Sequence, residues 1–81
     1  MSAHPDDNLI SMLNQIALNL GGGRDEESAA TATCRHVETF WARPMKQRLM
    51  ASLARPETGL SATAHRAATL LAKRQEERRT G

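Results

Sequence analysis

Few side chains in this 81-residue chain could do covalent or metal chemistry: one cysteine, Cys34, and three histidines, His4, His36 and His65. A nucleophilic cysteine needs a base within hydrogen-bond reach and a third group to orient that base. Cys34 and His36 are two positions apart, so on a helix they point to different faces, and no carboxylate is placed to hold the imidazole. The common structural zinc sets need more than one cysteine. Gly21-Gly22-Gly23-Arg24 has the glycines of a phosphate loop but neither its Lys-Ser/Thr nor a preceding strand. The sequence therefore predicts no catalytic, cofactor-binding or metal-ligating residue. Cys34 reads as a small buried or half-buried side chain, and the histidines as surface or capping groups.

Recognition chemistry is the better prospect, and it concentrates in Phe40-Trp41-Ala42-Arg43-Pro44-Met45. Both aromatic residues of the chain stand here side by side, next to a proline and an arginine. Neighbouring positions on a helix diverge by about 100°, so Phe40 and Trp41 are not expected to face the same core fully. Phe40 is expected inside as a core anchor and Trp41 outside, since Trp, Met and Arg are typical interface hot spots. Between Arg35 and Arg55 lie Arg43, Lys46 and Arg48 with one acid, Glu38, so the middle of the chain is its basic face.

These residues must be positioned by helices, because nothing alternates with period two for long enough to make a strand. A first helix starts near Pro5 to Asp7 and carries Leu9, Leu13, Ile16, Ala17 and Leu20 at helical spacing. Gly21 to Gly23 ends it. A second runs from about Asp25 to Trp41, with Ala30, Thr33, Val37, Phe40 and Trp41 as its buried stripe. Small residues fill its first half, which demands a close neighbour. The residue before a proline avoids helical geometry, so Arg43 is expected in a kink and Pro44 at the opening of a third helix. Met45, Leu49, Met50 and Leu53 form that helix's apolar side. Arg55 to Gly59, with Pro56, is a loop. Ser61 caps a last helix with Leu60 packed before it, and Ala64, Ala67, Ala68 and Leu71 line its inner face. The expectation is an all-α chain, a small bundle of three to four short helices. It forms a single domain over 1–81, ordered over about 6–73, with residues 74–81 as a frayed, flexible end.

Composition bounds the rest. The apolar fraction is 40%, but 13 of those residues are alanine, so the core is thin and a partner is a natural supplement. One cysteine excludes an intrachain disulfide and fits a reducing compartment. With no leader-like start and no apolar run of membrane length, the expectation is a soluble, cytoplasmic protein with no membrane partner. The net charge of +2 and a proline in the turn before the third helix weigh against a small helical nucleic-acid-binding protein. Two further readings stay open: a helical module that self-associates when isolated, and an accessory subunit.

A family resemblance favours the second. Asn8-Leu9-Ile10-Ser11-Met12-Leu13-Asn14-Gln15-Ile16 is similar to a Leu-x-x-Met-x-Asn-Gln-Ile helix. His36-Val37-Glu38-Thr39-Phe40-Trp41 is similar to a His-x-x-x-Phe-Trp pattern. Then come the Arg43-Pro44-Met45 corner, Arg48-Leu49, and Gly59-Leu60-Ser61 leading into an alanine-rich helix. Together, over roughly Asn8 to Leu71, the chain resembles the small delta subunit of cytoplasmic NAD-dependent, molybdenum-containing formate dehydrogenases. It departs in lacking aromatics at Ala17-Leu18-Asn19-Leu20 and in having Ala62 where a proline follows Leu-Ser.

The resemblance implies a non-catalytic accessory subunit with no cofactor of its own. It would dock on a large catalytic subunit that holds a bis-pterin molybdenum or tungsten centre and iron–sulfur clusters. Other subunits would carry flavin and further iron–sulfur clusters, and the NAD-dependent complex would oxidise formate to carbon dioxide. The small subunit would support assembly, stability or cofactor retention. The expected partner-binding residues are Trp41, Arg43, Met45 and Arg48, with Asn14 and Gln15 as secondary positions.

Overall fold

The computed structural model describes residues 6–55 and 57–80, so His4, Pro5 and Pro56 lie outside the described residues. Four helices follow one another: α1 (Asp7–Gly21), α2 (Glu26–Phe40), α3 (Arg43–Ser52) and α4 (Ala62–Thr80). No strand occurs among the described residues. The fold is a small all-α bundle.

The boundaries follow local chemistry. α1 ends in a tight turn in which the Arg24 N–H donates to the Gly21 carbonyl at 3.0 Å. Gly22 has φ −56° and ψ 122°, and Gly23 has φ +75°. That pair of angles is a type II turn, whose third position needs glycine. Asp25 caps α2 by accepting the Ser28 N–H at 2.8 Å, and Glu26 and Glu27 add negative charge at the positive end of the helix dipole. α2 stops at Phe40, and Trp41 and Ala42 are both extended, with ψ of 138° and 153°. The break was expected at Arg43, but it falls one to two residues earlier and Arg43 already opens α3. Proline is tolerated in a first helical turn because its missing N–H has no partner to lose there. Ser61 caps α4 as expected, its Oγ accepting the Ala64 N–H at 3.2 Å.

α2 is the central element, packed on α4 and α1, while α3 lies against α4 and α1. Leu9, Ile10, Leu13 and Ala17 from α1 meet Ala30, Cys34 and Val37 from α2. Leu49 from α3 and Ala64, Ala67, Ala68 and Leu71 from α4 close the same core. The small first half of α2 does have a close neighbour: a Cβ on Gly21 would sit 3.3 Å from the Cβ of Ala29. Two hydroxyls are buried, and both are satisfied within their own helix, Thr33 donating to the Ala29 carbonyl and Ser52 to that of Leu49.

The sequence places the ordered region at about 6–73 and a frayed end at 74–81; in the structure the α4 helix continues to Thr80. From Ala72 to Arg79 every residue is half-buried or exposed, and this stretch carries ion pairs to α2. Arg74 and Arg78 both reach the Glu38 carboxylate on α2, at 2.8 and 3.3 Å.

Candidate functional site

Cys34, His36 and His65 do not assemble. Cys34 is 1% exposed, and burial, helped by the Glu38 carboxylate, pushes its thiol above its ordinary pKa of 9.0. A buried neutral thiol is a poor nucleophile. The His36 ring points elsewhere and packs on Phe40, with centroids 4.8 Å apart. His65 is exposed on α4. Among the described residues, no three His, Cys, Asp or Glu side chains come together.

The two aromatics are placed the opposite way round from the expectation. Trp41 is 7% exposed and belongs to the core, whereas Phe40 is 71% exposed. At about 100° per residue, both lie roughly 50° from the centre of the stripe formed by Ala29, Ala30, Thr33, Cys34 and Val37. Helical spacing alone therefore leaves a tie. The tie is broken because α2 ends between them. The Trp41 N–H still donates to the Val37 carbonyl at 3.0 Å, but its own backbone is extended. That turn of the chain swings the indole inward and leaves the phenyl ring outside.

The other expected contact residues are dispersed. Met45 packs against the core and is partly buried. Arg48 is on the surface, where its Nε and guanidinium nitrogen donate to Asp6 Oδ1 at 3.1 and 2.9 Å. Asn14 staples the α3–α4 connection: its Nδ2 donates to the Gly59 carbonyl at 2.9 Å, and its Oδ1 accepts the Ser61 N–H at 2.8 Å. Gln15 is exposed and donates to Asn19 Oδ1. Arg43 alone of the arginines at the corner is exposed with no hydrogen bond or ion pair among the described residues.

Three surface features can receive a partner. One is the Phe40–His36 pair at the C-terminal end of α2, adjoining the Trp41–Ala42 corner. The second is a groove of about 680 Å³ between α3 and α4. The third is a hollow beside the α1–α2 turn, with Leu18, 72% exposed, on its rim. Phe40 and Leu18 were missed as surface residues. Leu18 could have been found, since it lies off the stripe Leu9–Leu13–Ala17. Phe40 had no such signal until the end of α2 was located.

In a comparison with known protein families, the family model described as NADH-dependent formate dehydrogenase delta subunit FdsD matches residues 8–68. No curated protein and no solved structure matches. The matched segment spans α1, α2 and α3 and ends within α4, at Ala68.

Proposed function

The chain belongs to the FdsD family of NADH-dependent formate dehydrogenase delta subunits, and from that premise we propose that it is a non-catalytic accessory subunit. It docks on the large catalytic subunit of the cytoplasmic complex and supports its assembly, stability or cofactor retention. The molybdenum or tungsten bis-pterin centre, the iron–sulfur clusters and the flavin belong on this reading to the partner subunits.

Family membership carries this reading, and the surface supports it. Phe40 is a large aromatic ring held in water at 71% exposure. Burying an aromatic side chain against a partner removes roughly 150–250 Å² of apolar surface, on the order of 4–6 kcal/mol at ~25 cal/mol per Å² for full burial. Phe40 also contacts the His36 ring, with centroids 4.8 Å apart, so the two rings form one exposed patch. This moves the centre of the docking face from Trp41 to Phe40. Binding of the large subunit to an immobilised chain tests it. Phe40→Ala weakens binding at least tenfold while leaving the helical spectrum intact. Equal affinity for Phe40→Ala and the unaltered chain would remove Phe40 from the interface.

A further inference from the structure

The α3–α4 groove has a construction of its own. Its α3 wall is Arg43, Lys46, Gln47 and Met50, and its α4 wall is Ala72, Gln75, Glu76 and Arg79, with Arg78 at the edge. Both walls fall at positions i, i+3, i+4 and i+7 of their helices. That is the stripe a helix uses to pack against another element. Two adjacent helices thus turn complete two-turn stripes into one open groove. The floor is apolar at Met50 and Ala72, both half-buried. Gln47 and Gln75 bring amides that can both donate and accept. The rim is cationic. Arg43, Lys46, Arg78 and Arg79 stand against one lining carboxylate, Glu76, and Arg78 is shared with Glu38. Arg43 and Arg79 have no hydrogen bond or ion pair among the described residues.

We infer that this groove binds a short acidic polypeptide segment of the subunit on which the chain docks. The inference rests on the accessory-subunit reading above, but it concerns a different surface, one whose α4 wall lies beyond the residues the family model covers. Charge complementarity selects an anionic occupant. The combination of an apolar floor and amide side chains favours a polypeptide over nucleic acid. A peptide can place an apolar side chain on Met50 and Ala72, pair its backbone with Gln47 and Gln75, and bring carboxylates to Arg43 and Arg79. A phosphate backbone has nothing for the apolar floor. Each stripe spans about two turns, roughly 11 Å, so the segment needs only about two turns of helix.

The test uses the complex of the full chain with its dehydrogenase subunits. A carbodiimide joins an amine to a carboxylate without a spacer, and Lys46 is the only groove amine. The expected result is a Lys46 cross-link to an Asp or Glu within an acidic stretch of the partner. The double variant Arg43→Glu/Arg79→Glu should lose the cross-link and bind about tenfold or more weakly, with the deficit shrinking as salt rises. Arg43→Glu puts an acid in the first turn of α3, which the helix dipole favours, while Arg79→Glu puts one in the last turn of α4, which it disfavours, so an unchanged helical spectrum of the double variant is required alongside the binding result. Arg43→Gln/Arg79→Gln, which only removes charge, should weaken binding in the same direction. If the complex forms with no Lys46 cross-link and both variants bind like the unaltered chain, the groove inference is overturned while the accessory-subunit reading stands. If no complex forms, the accessory-subunit reading falls and takes the groove inference with it. Retention of an oligonucleotide that a poly-glutamate peptide fails to displace would also overturn the groove inference.

Discussion

At the level of single residues, the clearest outcome is the exchange of roles between Phe40 and Trp41. Trp41→Ala opens a cavity in a thin core and should cost about 3–5 kcal/mol in a denaturant titration. Phe40→Ala should change stability by no more than about 0.5 kcal/mol, because its ring is already in water. The reverse order would restore Phe40 as the core anchor. Asn14 makes a second residue-level case. As a polar residue in an apolar helix it was read as a contact for a partner, yet both its amide atoms are used to hold Gly59 and Ser61. Asn14→Ala should cost about 1–2 kcal/mol and speed hydrogen exchange at the Ser61 amide, and unchanged exchange there would show that the staple is dispensable. These positions were not legible in the sequence because each depends on a partner distant along the chain or on where the backbone turns. Cys34 was legible as a small, buried or half-buried side chain, because a free cysteine behaves as a small hydrophobe.

Among the elements, helix starts and stops were read within a residue or two, because they are local. The three glycines, Asp25, Pro44 and Ser61 each act on the backbone within one turn. The far end of α4 was not legible, since its support comes from Glu38 on another helix. Glu38→Gln removes the charge that Arg74 and Arg78 share and should make amides after Leu71 exchange about two- to tenfold faster. No change in that stretch would mean that the ion pairs do not hold it. The start of α2 sets the response to acid. Hydrogen bonds from the Ser28 side chain and backbone hold the Asp25 carboxyl below its ordinary 3.8. A hydrogen bond from Arg66, assisted by its charge, holds that of Glu27 below its ordinary 4.5. Both groups bind protons more weakly folded than unfolded. Their contribution is therefore complete above about pH 4.5 and is lost as the pH falls below that through the depressed folded values. An acid titration of thermal stability should fall in that window, and Asp25→Asn/Glu27→Gln should flatten it. An unchanged profile in the double variant would place the acid response elsewhere.

For the molecule as a whole, the core is built mainly from alanine, one tryptophan and a few leucines, while the surface displays an aromatic ring, an exposed leucine and a cationic groove. The all-α class and the family were legible because helical spacing and the order of short motifs are properties of the sequence itself. The partner-facing surface was only half legible, since it requires knowing which side of each helix is already taken. No helix among the described residues is long and apolar enough to cross a membrane. The accessory-subunit role is tested most directly by isolating the tagged chain from the cells that produce it and measuring the mass and composition of what elutes with it. The expected result is a defined assembly containing a formate dehydrogenase large subunit, reduced at least tenfold in yield by Phe40→Ala. Elution of the chain alone, or as a multimer of itself with no dehydrogenase subunit present, would contradict it.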